Sequence, residues 1–207
     1  MGADLKAIFR RYRSDKLADE LSGEWAVVLL YRGPALLIAA ALLHTPVSAN
    51  AVTIFGITLL PLMALFAYFQ SLPGVLAVCV AFLVLDCVDG TLARERGRMS
   101  ERGAYLDFTG DILYRLVAYG ALGHLLGGIV WCIVAAWLMV FARLCRQYAP
   151  GPQGGKPNYL VSFFSGLDGL LPLLAPLLGG WLACWLVIYG LLDAMETNRS
   201  ILKRLKP

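Results

Sequence analysis

Long apolar runs separated by short polar stretches dominate this chain. Six of them are of membrane-spanning length or close to it, at residues 51–69, 74–92, 105–125, 129–145, 160–178 and 181–192. Glycine and proline interrupt some of the runs, so their ends are soft. Ahead of them, residues 4–24 mix Leu5, Ile8, Phe9, Tyr12, Leu17 and Leu21 with charged groups. That spacing predicts an amphipathic helix lying on a membrane surface. Residues 25–44 are apolar enough to pass for a seventh span, but Tyr31-Arg32-Gly33-Pro34 falls in the middle and Pro34 disfavours a continuous helix. This segment reads as two helical pieces in the interface. The pattern therefore predicts an all-α integral membrane protein, with an amphipathic interfacial arm at 1–44 and six transmembrane helices at 45–207.

Composition points the same way. The 207 residues are 59% hydrophobic, with a mean hydropathy of +0.69, which fits a polytopic membrane protein and not a soluble domain. No internal repeat or low-complexity tract is visible. Charge adds an orientation. Apart from Arg32 and Arg115, the 18 Lys and Arg lie in the amphipathic stretch at 4–24, in the 94–102 turn, between Arg143 and Lys156, or in the C-terminal tail. The alternate loops at 70–74, 123–128 and 179–180 carry no Lys, Arg, Asp or Glu. By the positive-inside rule both termini and the 94–102 turn face the cytosol. The net charge of +4 is largely this topological signal, and no nucleic-acid partner is expected. The five cysteines show no paired spacing, so neither a disulfide framework nor a zinc site is expected. The first 20 residues are too charged for a cleavable signal peptide.

Four aspartates stand out against this apolar background. Asp86 and Asp89 are three apart, Asp107 and Asp111 four apart, and both spacings put side chains on one helix face. A carboxylate in an apolar chain is costly unless a cation compensates it. Asp86 and Asp89 fall near the C-terminal end of their predicted helix, where the helix dipole disfavours them further. Such acids either take up protons or bind cations, and an all-oxygen donor set suits Mg²⁺ or Mn²⁺. Arginines at 94, 96, 98 and 102 offer a simpler partner, an interfacial charge cluster. Asp86, however, lies eight residues before Arg94, on the order of 12 Å along a helix. Gly90 and Ala93 keep the same face shallow, so a bulky ligand can approach the backbone.

Written out, the stretch DCVDGTLARERGRMSERGAYLDFTGD follows D-x2-D-G-x2-A-R-x8-G-x3-D-x3-D, with Gly103 opening the second helix. It resembles the signature of the CDP-alcohol phosphotransferase family, integral-membrane enzymes of phospholipid synthesis. The resemblance covers about 50–115 and fills every fixed position of the motif. It implies two divalent metals, Mg²⁺ or Mn²⁺, clamping a diphosphate. Asp86, Asp89 and Asp107 are then the main ligands, and Asp111 is the general base, which also touches a metal. It further implies nucleotide contacts from Asn50, Thr53, Gly90, Ala93, Arg94 and Gly103. Asn50 and Thr53 are similar to the family's P-N-x-[IL]-T, with Ala49 in place of the proline and Val52 in place of the isoleucine or leucine. Asn50 also suits a helix cap, and the two roles are compatible. The expected reaction transfers a substituted phosphate group from a CDP-alcohol to an acceptor alcohol and releases CMP, in a prokaryotic cytoplasmic membrane and within a homodimer.

Several residues keep two readings. Arg115, one turn after Asp111, either points at the acceptor or serves as a counter-ion to the aspartates. Arg143 and Arg146 either grip a phosphorylated acceptor or anchor their helix at the interface. Asp168 either lines an acceptor pocket or caps a broken helix, and Lys156 is not placed. The arginines tilt the donor toward CDP-diacylglycerol with a phosphorylated polar acceptor. CDP-choline or CDP-ethanolamine with diacylglycerol as acceptor is the alternative. A divalent-cation transporter using the same aspartates is the alternative of another class, but transporters place such acids near the midplane of repeated or broken helices.

Overall fold

The computed structural model describes residues 2–23, 25–148 and 168–178, together with 181, 188 and 191. Among them the secondary structure is helical, without a strand. The arm comprises α1 (Gly2–Asp15), α2 (Leu17–Gly23), α3 (Trp25–Leu30) and α4 (Arg32–Leu42). Four long helices follow: α5 (Ala49–Tyr68), α6 (Leu72–Glu95), α7 (Glu101–Gly127) and α8 (Ile129–Tyr148). A 3₁₀ turn at Asp168–Leu170 leads into α9 (Leu171–Leu178).

The expected break between residues 31 and 34 is present, with Tyr31 separating α3 from α4. The first part of the arm differs from expectation, because it is two helices hinged at Lys16. Its apolar face is also divided. Ile8 and Tyr12 pack with Leu36 and Ala40 of α4, whereas Phe9 remains 54% exposed. The arm is therefore docked on the protein as well as amphipathic. Arg96, at the end of α6, ties down the linker that follows α4. Its guanidinium donates to the carbonyls of Leu42 (2.6 Å), Leu43 (3.0 Å), Thr45 (2.8 Å) and Val47. The Leu42 and Leu43 carbonyls lie at the C-terminus of α4, where no following turn of helix supplies donors.

α5 packs against both α6 and α7, and α7 packs along α8. The core between them is built from residues such as Leu60, Met63, Phe82, Tyr114 and Leu122, with the Phe82 and Tyr114 rings stacked at 4.6 Å. α5 and α6 are long and apolar enough to cross a membrane by length and composition. α5 keeps Ile54, Phe55, Leu62 and Leu65 on its outer surface, as a lipid-facing helix does. α7 is longer but carries Asp107, Asp111 and Arg115 within its first four or so turns. The expected run at 160–178 is described only at 168–178, as a 3₁₀ turn followed by α9, and its earlier part lies outside the described residues. The run at 181–192 lies outside them too, except for 181, 188 and 191.

The α6–α7 connection determines how the aspartates meet. Gly97 adopts φ +59°, and the bonds Arg98 N–H to Ala93 O and Gly97 N–H to Arg94 O, both 3.0 Å, close α6 in a Schellman motif. Ser100 then caps α7 by accepting from Gly103 N–H at 3.1 Å. α7 thus begins at Glu101, two residues before Gly103, because the serine hydroxyl supplies the cap.

Candidate active site

Asp86 and Asp89 project from the last three turns of α6, and Asp107 from the second turn of α7. One carboxylate oxygen from each lies within 4.8 Å of those of the other two. Asp89 is buried (4% exposed), Asp86 is half-buried and Asp107 is exposed, so the cluster sits at the mouth of the helix packing. Three carboxylates this close, one of them buried, repel one another unless a cation lies among them. The donors are all hard oxygens, a fit to a divalent cation of the Mg²⁺ or Mn²⁺ kind. Thr53 of α5 donates its hydroxyl to Asp89 Oδ2 at 2.5 Å and so orients that carboxylate.

A pocket of about 190 Å³ opens beside the cluster. Asn50, Thr53, Gly90, Ala93, Arg94 and Gly103, the six residues expected at a nucleotide, all line it together with Asp89 and Asp107. Gly103 matters by its size. A Cβ there would lie 3.2 Å from Ser100 Oγ and 3.4 Å from Asn50 Oδ1, so a side chain at this position would press both groups back by a few tenths of an ångström. Arg98 and Met99 line the same pocket. From sequence alone Arg98 belonged only to the basic turn, and its one signal was its position five residues before Gly103.

Asp111 is placed differently. Arg143 Nη2 of α8 lies 2.6 Å from Asp111 Oδ2, and Arg115 Nε lies 3.6 Å from Asp111 Oδ1. Two guanidiniums therefore face this carboxylate, and the group that converges within 4.8 Å consists of the other three acids. Arg143 also lies over the Phe108 ring, 5.9 Å from its centroid. The side chains of Arg146 and Asp168, and all of Lys156, lie outside the described residues. Neither histidine joins the cluster: His44 pairs with Asp4 at 3.4 Å, and His124 lies 3.2 Å from Gln70 Nε2. A larger cavity, about 700 Å³, opens between α5, α7 and α8, but its walls are apolar (Ala67, Leu116, Ala136, Trp137, Phe141) and include no carboxylate.

A sequence model of the CDP-alcohol phosphatidyltransferase family matches residues 46–192. The chain is 31% identical over 162 residues to the inner membrane protein YnjF of Escherichia coli, covering 69% of this chain and 73% of that one. It is 35% identical over 113 residues to the archaetidylinositol phosphate synthase of Pyrococcus horikoshii, covering 54% of this chain and 55% of that one. It is 34% identical over 114 residues to the phosphatidylinositol phosphate synthase of Mycobacteroides abscessus, covering 52% and 48% respectively. The matches to the two synthases thus span about half of their length. The family match runs from the start of α5 through both aspartate pairs, the same segments that build the cluster and its pocket. On that ground the chain belongs to the CDP-alcohol phosphatidyltransferase family.

Proposed function

We propose that this protein is a membrane enzyme that moves a substituted phosphate group from a CDP-alcohol to an acceptor alcohol and releases CMP. The observation that carries this reading is the convergence of Asp86, Asp89 and Asp107 beside a pocket lined by Asn50, Arg94 and Gly103. Asp86, Asp89 and Asp107, with Asp111 nearby, are proposed to hold two Mg²⁺ or Mn²⁺ ions. The chemistry these ions supply when bound is Lewis-acid polarisation of the CDP diphosphate. The chain's own residues do the rest. Asn50 and the bare backbone at Gly90 and Gly103 receive the nucleotide, while Arg94 adds positive charge beside the diphosphate. Asp111 takes the proton of the acceptor hydroxyl, whose oxygen attacks the β-phosphorus as the bond to CMP breaks. Its Oδ1 is the oxygen for this role, since Arg143 holds Oδ2 at 2.6 Å whereas Arg115 Nε stays 3.6 Å from Oδ1.

A phosphorylated polar acceptor, with CDP-diacylglycerol as donor, is the form of the reaction we favour. Arg143 supports it. Its Nε is buried without a hydrogen-bond partner among the described residues, a donor that costs about 1–3 kcal/mol if left unmade. A phosphate beside Asp111 would satisfy it, and arginine binds phosphate through a two-donor fork. Two relatives are named as synthases of inositol-phosphate lipids, which agrees with an acceptor of this class. The proposed setting is six transmembrane helices in a prokaryotic cytoplasmic membrane, with the cluster and both termini cytosolic, in a homodimer surrounded by lipid. The test is a matrix of CDP-alcohol donors against acceptor alcohols in detergent with Mg²⁺ or Mn²⁺, read by CMP release and lipid product mass. Absence of CMP release in every cell of the matrix would overturn the proposal, and ion flux in liposomes would then support the transporter alternative.

A further inference from the structure

Behind the aspartate pair of α6, three arm helices meet in a buried polar node. Arg32 of α4 is 7% exposed, and its Nε donates to Glu20 Oε2 of α2 at 3.0 Å while its Nη2 donates to Oε1. Tyr12 of α1 donates its hydroxyl to the same Oε2 at 2.9 Å, and its ring lies 5.3 Å from the Arg32 guanidinium carbon. Burial, and then the bond to Glu20, pushes the Tyr12 hydroxyl up to about 12, so it stays a donor at neutral pH. The remaining terminal nitrogen of Arg32, Nη1, reaches α6 and donates to the Cys87 carbonyl at 3.2 Å.

That carbonyl belongs to the residue after Asp86 and two before Asp89. It also accepts the Thr91 hydroxyl at 2.8 Å, and Thr91 Oγ1 in turn lies 3.4 Å from Arg94 Nη2. A chain of polar contacts therefore runs from the arm into the backbone that carries two of the clustered carboxylates, and on to an arginine of the pocket. Stability alone does not require such a node, since a buried ion pair exchanged for apolar groups of similar volume is often neutral or stabilising. A role in aiming this segment of helix accounts for it, because one guanidinium joins the arm to the α6 backbone.

We propose that Arg32 is a positioning residue for the metal site: held by Glu20 and Tyr12, it pins the Cys87 carbonyl and fixes the α6 backbone between Asp86 and Asp89, so that both face Asp107. Docking of the N-terminal arm is then a condition for a well-formed cation site. This inference rests on the reading that these three aspartates hold divalent cations.

The test uses the full chain in detergent, with Mn²⁺ affinity measured by titration calorimetry and the thermal midpoint recorded in chelator. Glu20→Met/Arg32→Met removes both charges together, so no unpaired ion is buried. The midpoint is expected to stay level or rise while Mn²⁺ binding weakens about tenfold, the scale of losses when groups supporting metal ligands are removed. Arg32→Lys keeps the charge but cannot serve Glu20 and the Cys87 carbonyl with one fork, and it is expected to fall between the two. Mn²⁺ affinity equal to wild type in the double variant overturns the proposal, and if that variant does not fold, equal affinity in Arg32→Lys overturns it. A wild-type chain that binds no Mn²⁺ overturns the metal reading itself, and the positioning role with it.

Discussion

Arg143 of α8 grips Asp111 of α7 across 2.6 Å, whereas the other three aspartates converge on one another. The acids are thus divided between a candidate cation site and a carboxylate steered by guanidiniums. If Asp111 is the base, Asp111→Asn keeps the shape and removes the proton acceptor. Turnover should fall by about 10²–10⁴, with donor binding retained. Single-turnover CMP release beside direct nucleotide binding measures both, and full turnover in Asp111→Asn would end this assignment.

Arg143→Met separates the two roles of that arginine. Loss of a charge-assisted contact to phosphate costs about 1.5–3 kcal/mol, roughly 10–150-fold in affinity. The acceptor KM should rise by that factor for a phosphorylated acceptor and far less for an unphosphorylated one. Equal losses for both acceptors would show that Arg143 serves Asp111 alone.

Thr53 lies 2.5 Å from Asp89 Oδ2, and Thr53→Val keeps its volume while deleting that donor. Loss of such an orienting bond is expected to weaken the metal by about 10–100-fold. The Mn²⁺ concentration needed for half-maximal CMP release reads this directly, and nucleotide affinity at saturating metal should change little.

Chelation should abolish CMP release, and added Mg²⁺ or Mn²⁺ should restore it. Ligand linkage also predicts a gain of about 2.7 kcal/mol in stability at a hundredfold excess over the dissociation constant. The thermal midpoint should rise with Mn²⁺ in wild type, and the rise should vanish in Asp86→Asn/Asp89→Asn. A rise that persists in that variant would place the binding cation elsewhere.

Arg96→Ala strips the linker before α5 of the donor that serves four carbonyls. Unfolding stability is expected to fall by about 1–3 kcal/mol, seen as a lower thermal midpoint. Because that linker leads to Asn50, the donor KM should rise as well. Gly103→Ala tests the same region from the other side, since its Cβ would press on Ser100 and Asn50. A severalfold rise in donor KM with an unchanged midpoint is the expected result.

Much of this is legible in the sequence. The spacing of Asp86, Asp89, Asp107 and Asp111 follows the helical repeat, so a short turn between two helices sufficed to bring both pairs to one end of the bundle. The break at Tyr31 was legible for the same reason, as proline and glycine act locally. The hinge at Lys16 was missed because a continuous amphipathic pattern also fits two short helices docked on a third. Arg32 looked like an exception to the charge pattern, and its partners Glu20 and Cys87 lie 12 and 55 residues away. No periodicity links such positions.

The sequence by itself determined the four long helices α5 to α8, their apolar character, the candidate ligands and the family. These depend on residues a few positions apart, where backbone geometry dictates which side chains can meet. Only the tertiary structure decided that Arg143 meets Asp111, that Thr53 orients Asp89, that Arg96 holds the linker and that Arg32 reaches the Cys87 carbonyl. Those pairings follow from how the helices pack, because side chains on different helices meet only once the helices are brought side by side.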